Sequence, residues 1–375
     1  MQLALELARK GAGRTSPNPR VGAVLVKGGR IIGQGYHRAV GEKHAEVEAI
    51  EAATESVEGA TLICNLEPCC HNTREKRTPP CTRRIIAEKI ARVVVSTIDP
   101  NPHVNGQGLA ELQAAGIEVK TGVLAREALE LNAAYFKSVH RREAFFHLKI
   151  AQSLDGRIAT RRGDSKWITD QQARRQVQAL RRQADAILVG VGTVLADNPR
   201  LTVREESDYQ PYRLVLDSRL RTPLEAHLVR DRWAQRTLIF HGPQADVTRK
   251  RKLAERGVRL VEAPVDAAGR IDLAFLAGYL AAQGILAVLV EGGSRVFTEF
   301  VRQNRFDRLT AFVAPLLIGE GLPAIGDLGV EALSEARRLE QVRIHTLGNQ
   351  AVVEGYRRVK ETFGPLAEVW SCSRD

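Results

Sequence analysis

The sequence predicts an α/β protein made of two domains. At 375 residues the chain is longer than one ordinary domain. Apolar runs typical of strands alternate with segments of helical periodicity in both halves, which indicates a layered α/β architecture. An apolar fraction of 44% is sufficient to fill two hydrophobic cores. We place the domains at 1–124 and 145–360, with a linker at 125–144 and a poorly ordered tail at 361–375.

The N-terminal half is predicted to form a complete α/β/α layer. Leu3 and Leu7 recur at helical spacing, and a Gly-containing turn separates two strand-like runs as in a hairpin. Pro80 suits the start of a helix, so we expect Cys69 and Cys81 at a helix start, where the partial positive charge favours thiolate. The predicted helices lie at 2–11, 44–53, from 80 onward and at 107–115, and the strands at 21–26, 31–35, 60–66, 93–96 and 117–121.

The C-terminal half is predicted to be a second α/β domain with an antiparallel edge. Its strands alternate with helices until the last two strands, which follow each other directly and so favour a hairpin. The predicted strands lie at 145–151, 186–191, 213–217, 237–241, 258–262, 287–291, 309–313, 339–346 and 350–358. The predicted helices lie at 170–183, 247–256, 272–282 and 294–303.

The net charge of +11 leaves three interpretations of the surface open. Basic runs such as 249–252 are common on solvated faces, phosphorylated small molecules would be attracted by them, and so would a polynucleotide. Aromatic residues make up only 5% of the chain, which disfavours a base-stacking platform. We therefore expect a phosphorylated small molecule as partner, and neither nucleic acid nor a membrane.

The cysteines point to a metal in a reducing compartment. Four of the five lie between positions 64 and 81, and an odd, clustered set argues against a disulfide framework. The N-terminus lacks the order of a signal peptide, and no apolar run is long enough to span a bilayer. We therefore predict a cytoplasmic protein.

A zinc site is predicted between His44 and Cys81. Catalytic zinc takes three protein ligands and keeps one position open, and His44, Cys69 and Cys81 can supply the three. The order His-x-Glu followed by Pro-Cys is the signature of zinc deaminases, in which the glutamate transfers protons without binding the metal. Glu46 has that position. The reaction would replace an amino group on a heteroaromatic C=N carbon by hydroxyl.

Two features of this pattern leave alternatives open. Cys70 adjoins Cys69, and we choose Cys69 because it directly follows Pro68. The second cysteine comes much later than the two-residue spacing of the polynucleotide deaminases, yet a base deaminase with a nucleic-acid-binding second half remains the rival. A structural zinc module completed by Cys70 is the third interpretation.

Longer motifs resemble one family across nearly the whole chain. The N-terminal motifs are TSPNPRVGAV at 15–24, GYH at 35–37, GEKHAE at 41–46 and EPCCH to RTPPC at 67–81. The C-terminal motifs are KIAQSLDGRIAT at 149–160, SKWIT at 165–169, ILVGVGTVLADNPRLTVR at 187–204 and VEGG at 290–293. In this order they resemble the bifunctional deaminase/reductase of riboflavin biosynthesis.

For the first half, the resemblance implies a cytidine-deaminase-like domain. It would hydrolyse the 2-amino group of 2,5-diamino-6-(5-phosphoribosylamino)pyrimidin-4-one, with Glu46 as acid and base. The family's substrate positions correspond to Asn18, His37, His71 and Arg77. The segment between His71 and Arg77 is longer and more charged than in the family, which is a departure close to two of these positions.

The second half alone gives a weaker signal. The sequence Glu291-Gly292-Gly293-Ser294 ends a strand and opens a helix, where free N–H groups can bind a phosphate, although a simple capping turn has the same pattern. Ser218 lies at another strand end, where an NADP 2′-phosphate could bind. Arg181 lies within a helix beside another arginine, so a solvated face is the alternative to a phosphate contact.

For this half, the resemblance implies a dihydrofolate-reductase-like α/β domain that uses NADPH. It would reduce the ribosyl group to ribityl, giving 5-amino-6-(5-phosphoribitylamino)uracil. The implied cofactor contacts are Ala151, Trp167, Thr193, Asp197, Ser218, Gly293, Ser294, Arg295, Val296, Phe297, Thr298 and Glu299. The implied substrate contacts are Ser165, Arg181, Leu201, Arg204 and Glu291. We also expect a homo-oligomer, in the first place a dimer.

Overall fold

A computed structural model describes residues 1–71, 79–204 and 209–370. The chain divides into two compact units. The first comprises Met1–Arg141 and Thr362–Asp375, and the second comprises Arg142–Glu361. No described helix combines the length and apolarity needed to cross a membrane.

The first unit is built on a five-stranded sheet with the order β2-β1-β3-β4-β5. β1 is antiparallel to both β2 and β3, whereas β3, β4 and β5 run parallel. Its strands are β1 (Gly22–Lys27), β2 (Arg30–Tyr36), β3 (Thr61–Cys64), β4 (Arg92–Val95) and β5 (Glu118–Lys120). Its helices are α1 (Gln2–Arg9), α2 (Ala45–Glu51), α3 (Cys81–Ala87), α4 (Gln107–Ala114), α5 (Ala125–Leu131) and α6 (Ala133–Arg141).

Two glycines of β2 allow helix α2 to lie directly on the sheet. A Cβ atom at Gly33 would come within 2.3 Å of the Ala49 carbonyl, and one at Gly35 within 2.6 Å of the Ala49 nitrogen. Both contacts are shorter than real Cβ atoms allow, so only glycine permits this approach. The close packing fixes the start of α2, where His44 is the N-cap and Glu46 is in the first turn.

The second unit contains a nine-stranded sheet with the order β11-β10-β9-β8-β12-β6-β13-β16-β15. The seven strands from β11 to β13 run parallel, and β16 and β15 add the predicted antiparallel edge. The strands are β6 (Phe145–Ser153), β7 (Arg157–Thr160), β8 (Ala186–Gly190), β9 (Tyr212–Leu216), β10 (Thr237–His241), β11 (Arg259–Glu262), β12 (Ala287–Gly292), β13 (Arg308–Ala314), β14 (Gly321–Pro323), β15 (Glu340–Leu347) and β16 (Gln350–Tyr356).

Helices flank this sheet, and large side chains from both layers form its core. Phe146 on β6 and Phe300 on α12 are fully buried with ring centroids 4.9 Å apart. β7 and β14 form a separate two-stranded sheet. The helices are α7 (Gln171–Gln183), α8 (Val191–Asp197), α9 (His227–Arg230), α10 (Val247–Glu255), α11 (Leu273–Ala282), α12 (Ser294–Arg302) and α13 (Val359–Phe363), with 3-10 turns at Ala234–Arg236, Leu333–Glu335 and Gly364–Trp370.

Two predicted boundaries differ from the structure. The segment 125–144, predicted as a linker, contains α5 and α6, which belong to the first unit. The tail predicted as poorly ordered is helical up to Trp370. Phe363 is completely buried, and its ring packs edge-on against Phe136 of α6 at 6.3 Å. Each segment is held in place by contacts distant in sequence.

Candidate active sites

Three ligand atoms converge at the edge of the first sheet. The Nδ1 atom of His44 lies 3.4 Å from the Sγ atom of Cys69 and 3.3 Å from that of Cys81. All three atoms lie within 4.8 Å of one another. One imidazole and two thiols are ligands that zinc prefers, and a set of three leaves one tetrahedral position open. The predicted metal ligands are therefore brought together by the fold.

The two cysteines occupy different backbone positions. Cys81 is the first residue of α3, as expected, but Cys69 lies in the loop after β3 and not at a helix start. The backbone N–H of Cys81 nevertheless donates to the Cys69 sulfur at 3.4 Å. The first N–H of α3 can therefore stabilise negative charge on the Cys69 sulfur. The Cys70 thiol faces the His103 carbonyl at 3.7 Å. Among the described residues, Cys70 is not part of the three-ligand group.

Glu46 is buried beside the ligands. Only 3% of the residue is exposed. Burial raises the pKa of its carboxyl, and the nearby charge of His44 opposes the shift. A carboxyl whose pKa is raised holds a proton more readily than an ordinary one and can return it to a leaving group. The geometry is thus consistent with the acid/base role predicted for Glu46.

Asn18 and His37 lie next to this centre. The rings of His37 and His44 are 5.4 Å apart. The Nδ1 atom of His37 lies 3.0 Å from the Lys43 carbonyl, and its Nε2 atom lies 3.2 Å from the Asn18 amide nitrogen. Burial lowers the pKa of His37, which favours a neutral ring that donates to Lys43 and accepts from Asn18. His71 is half-buried with its ring 6.1 Å from that of His103, and Arg77 lies outside the described residues.

Glu67 is a functional candidate that the sequence interpretation missed. Its buried carboxylate accepts backbone N–H groups of Asp99, Gly106 and Gly108 at 2.9 to 3.0 Å, and that of Leu109 at 3.3 Å. It thereby ties the loop after β4 to the loop that carries Cys69. A charged residue directly before Pro-Cys, at the end of an apolar strand, is the signal that could have identified it.

Asp99 is a second missed residue in this region. It is 7% exposed, and burial raises the pKa of its carboxyl to about 6, although hydrogen bonds from Asn101 and Tyr135 oppose the shift. The Tyr135 hydroxyl on α6 donates to Asp99 Oδ1 at 2.8 Å. The segment predicted as a linker therefore contributes directly to the surroundings of the metal ligands.

The second unit gathers its polar groups at the carboxyl edge of the parallel strands, where α/β sheets bind ligands. Gly190 ends β8 and Gly292 ends β12 at this edge. A Cβ atom at Gly293 would lie 3.2 Å from the Thr193 hydroxyl, and one at Gly190 would lie 2.7 Å from the Val296 side chain. Two predicted cofactor positions, Thr193 and Gly293, thus lie side by side at the carboxyl edge of the sheet.

Ser218 follows β9 at the same edge. The neighbouring Asp217 carboxylate is buried and accepts from the backbone N–H groups of Arg221 and Thr222 and from the Thr222 hydroxyl. It is therefore occupied within its own turn and not free to accept a ribose hydroxyl, as the acidic residue of an NAD site does. Ser218 is half-buried and Arg219 is exposed, which leaves a hydroxyl and a cation for a phosphate.

The remaining predicted cofactor positions differ in what they present. Phe297 is in the hydrophobic core, and Glu299 forms ion pairs with Arg270 and Arg302. Contacts to a cofactor from these two residues would therefore come from the backbone. The Arg174 guanidinium lies 4.6 Å above the exposed Trp167 ring. Ala151 is on β6, Ser165 is in the loop before α7, Asp197 is exposed at the end of α8, and Ser294, Arg295 and Thr298 are in the first turns of α12.

Arg181 is largely buried and paired with Glu291, and so does not lie on a solvated face. Its guanidinium binds the Glu291 carboxylate through two hydrogen bonds of 2.7 Å, and a third reaches the Thr202 carbonyl. The side chains of Arg181 and Glu291 are only 12% and 9% exposed. The solvated-face interpretation is therefore wrong, and the fork expected to bind phosphate is occupied by Glu291. The guanidinium therefore binds a carboxylate of the protein itself, where a substrate phosphate was expected.

Glu291 is ionised by its neighbours in spite of its burial. Burial opposes ionisation, but the charges of Arg181 and Lys149 outweigh it and lower the pKa of Glu291 to about 2. Lys149 on β6 was missed because one lysine within a strand is unremarkable in sequence. Arg204 is exposed, with its N–H donating to Gln178, and Leu201 is buried with a φ of +51°.

Comparisons with known proteins find relatives for both halves of the chain. Residues 1–97 match the family described as cytidine and deoxycytidylate deaminase zinc-binding region, and residues 144–353 match the RibD C-terminal domain. The chain is 43% identical to riboflavin biosynthesis protein RibD of Aquifex aeolicus, over 94% of this chain and 96% of the relative. It is 40% identical to RibD of Escherichia coli, over 93% and 96%.

Two solved structures resemble the whole chain. A diaminohydroxyphosphoribosylaminopyrimidine deaminase/5-amino-6-(5-phosphoribosylamino)uracil reductase from Thermotoga maritima is 38% identical, with a TM-score of 0.82. RibD of Acinetobacter baumannii is 34% identical, also with a TM-score of 0.82. Each comparison covers 95% of this chain and 97% of the other. The likeness therefore spans both units.

Proposed function

This chain belongs to the RibD family of riboflavin biosynthesis proteins, and we propose which of its residues perform the two reactions of that bifunctional deaminase and reductase. The first substrate is 2,5-diamino-6-(5-phosphoribosylamino)pyrimidin-4-one, and the final product is 5-amino-6-(5-phosphoribitylamino)uracil. The observation that carries the proposal is the convergence of His44, Cys69 and Cys81 beside the buried Glu46.

In the deaminase, His44, Cys69 and Cys81 would hold zinc. When bound, zinc acts as a Lewis acid that makes water a nucleophile at neutral pH. Glu46 removes the proton from the attacking water and returns it to the leaving amino nitrogen, which its raised pKa supports. Asn18 and His37, with His71 and Arg77, orient the pyrimidine and its ribose phosphate.

In the reductase, NADPH supplies the hydride. The backbone at Gly293 and the Thr193 hydroxyl would bind the pyrophosphate, and Ser218 with Arg219 would bind the 2′-phosphate. The remaining contacts to the cofactor and the substrate would come from Ala151, Ser165, Trp167, Asp197 and Leu201.

The charged cluster of the reductase binds and protonates the substrate. Arg181 holds Glu291 in a fixed orientation, and Glu291 accepts hydrogen bonds from ribose hydroxyls. Opening of the ribose ring gives a C=N bond, whose carbon would take the hydride and whose nitrogen would take a proton. Burial lowers the pKa of Lys149, while the charge of Glu291 raises it, so Lys149 would donate that proton. The exposed Arg204 binds the 5′-phosphate.

A product analysis tests the whole proposal. The purified protein is supplied with the diamino-pyrimidine phosphate, first without and then with NADPH, and the products are identified by mass. We expect ammonia release and exchange of an amino group for oxygen without NADPH, and addition of two hydrogens only when NADPH is present. Reduction before deamination, or no turnover at all, would contradict the proposal.

We also propose that the protein forms a homodimer through the β15 edge. β15 is the last strand of the nine-stranded sheet, and Val342 and Ile344 on it are 47% and 71% exposed. An edge strand with exposed apolar residues is a typical protein interface. Light scattering should give twice the chain mass for the wild type and one chain mass for Ile344→Asp.

The proposed partner and location follow from the same chemistry. The basic surface attracts the phosphorylated pyrimidine, and the proposal includes no nucleic-acid or membrane partner. No disulfide joins Cys64, Cys69, Cys70 or Cys81 in the described part of the chain, which supports a reducing, cytoplasmic location. Fractionation of cells that express the protein would test this location.

A further inference from the structure

Two buried asparagines hold the backbone of the loop that carries Asn18. The Asn132 side chain accepts from the Arg20 N–H at 2.8 Å and donates to the Arg20 carbonyl at 3.0 Å. The Asn65 side chain donates to the same carbonyl at 3.0 Å and accepts from the Gly22 N–H at 2.8 Å. Asn65 is 0% and Asn132 4% exposed. A side-chain amide that bonds both polar groups of one residue replaces a strand partner for that residue.

This clamp lies two residues from Asn18, whose amide contacts His37. Between them is Pro19, which limits the backbone freedom of the connection. The position of the Asn18 side chain is therefore tied to the Arg20 backbone. Asn65 directly follows β3, and Asn132 lies between α5 and α6, so two separate segments hold the Arg20 carbonyl.

Asn132 belongs to a segment that follows the matched deaminase region in the chain. The match to the deaminase zinc-binding region ends at residue 97, and Asn132 lies beyond it. Tyr135 of the same segment bonds Asp99, so the segment reaches the site at two places. We propose that Asn132, together with Asn65, is a positioning residue of the deaminase that sets the location of Asn18 for the pyrimidine. This inference rests on the proposed deaminase function.

Kinetics of three variants test the inference. Asn132→Ala and Asn65→Ala each remove the donor to the Arg20 carbonyl, and Ser138→Ala is the control. Ser138 lies on α6, and its hydroxyl donates to the Tyr135 carbonyl of the same helical turn at 2.9 Å. The measurements are deaminase kcat and KM with the diamino-pyrimidine phosphate, zinc content, and reductase activity on the deaminated compound.

We expect Asn132→Ala and Asn65→Ala each to raise the deaminase KM about tenfold, with a much smaller change in kcat. Zinc content and reductase activity should match the wild type, and Ser138→Ala should behave as wild type throughout. The double variant should raise KM by less than the product of the two single effects, because both residues act through one carbonyl. A purely structural role would not divide KM from kcat in this way.

Three results would overturn the inference. One is a wild-type KM in both variants, and another is a loss of deaminase activity that follows loss of zinc. If Asn132→Ala does not fold, Asn132→Asp keeps the acceptor for the Arg20 N–H and removes the donor, and a wild-type KM in that variant is the third. Wild-type protein without any deaminase activity would contradict the proposed function itself, and the inference with it.

Discussion

Glu46 in the first unit and Glu291 in the second are both buried carboxylates at a candidate active site, yet their pKa values move in opposite directions. Burial raises the pKa of Glu46, against a smaller opposing effect of His44. For Glu291 the Arg181 and Lys149 cations outweigh burial, and the pKa falls to about 2. The difference shows that the nearest charge, and not burial alone, decides whether a buried acid is poised for proton transfer or stays ionised.

The two sites also differ in how they are assembled. The metal ligands come from one stretch of fewer than forty positions between His44 and Cys81. The reductase groups come from the ends of several parallel strands, and its strongest contact joins Arg181 to Glu291, 110 positions apart. The first site is thus a local feature of sequence, and the second depends on the whole sheet.

The variant with the largest expected effect on activity is Glu46→Gln. Removing the proton-transfer group should lower deaminase kcat by about 10²- to 10⁴-fold or more. The zinc content, measured by metal analysis, should stay at the wild-type value because Glu46 is not a ligand. Reductase activity on the deaminated compound serves as the control for folding. Wild-type ammonia release from this variant would refute the assignment of Glu46.

The ligand set is tested by Cys69→Ser beside Cys70→Ser. Cys69→Ser should lose both zinc and deaminase activity, because one of three ligands is missing. Cys70→Ser should retain about one zinc per chain, since its thiol faces the His103 carbonyl. The reverse result in metal analysis would mean that Cys70, and not Cys69, binds the metal.

Glu291→Gln tests whether the Glu291 carboxylate is held ionised by its pair with Arg181. It leaves a buried guanidinium without its charge partner, which should reduce the free energy of unfolding by about 3–5 kcal/mol and abolish reduction. Because the folded pKa of about 2 lies below the ordinary value of 4.5, the pair stabilises the wild type above that ordinary value and loses its effect as the pH falls toward 2.

The stability gap between wild type and Glu291→Gln should therefore shrink when denaturant unfolding is repeated from about pH 6 down to about pH 3. In separate activity assays, the Glu291→Gln variant should still catalyse deamination. A gap that does not change with pH would show that the carboxylate is not held ionised by its neighbours.

The smallest effect is expected for Arg204→Ala. Arg204 is exposed, so its removal should raise the reductase KM about tenfold and leave folding and deamination unchanged. Arg200→Ala, another exposed arginine nearby, is the matched control and should behave as wild type. Loss of deamination in Arg204→Ala would show that the two sites are not independent.

The sequence by itself determined the α/β class, most strands and helices, and the grouping of His44, Cys69 and Cys81 as possible zinc ligands. These depend on short-range patterns: the alternation of apolar residues, the Gly and Pro turns, and metal-binding residue types at recognisable spacing. The family resemblance added the two reactions, which the comparisons confirm, and NADPH as the cofactor of the second. It also named substrate and cofactor positions that stay predictions.

Only the tertiary structure decided which polar groups meet. The Arg181 fork is taken by Glu291, and Asn132 holds the Arg20 backbone 112 positions away. The segment predicted as a linker became two helices of the deaminase, and Phe363 from the predicted tail is buried against it. Each depends on a hydrogen bond or packing contact between segments far apart in the chain, and no local pattern in sequence records such a partner.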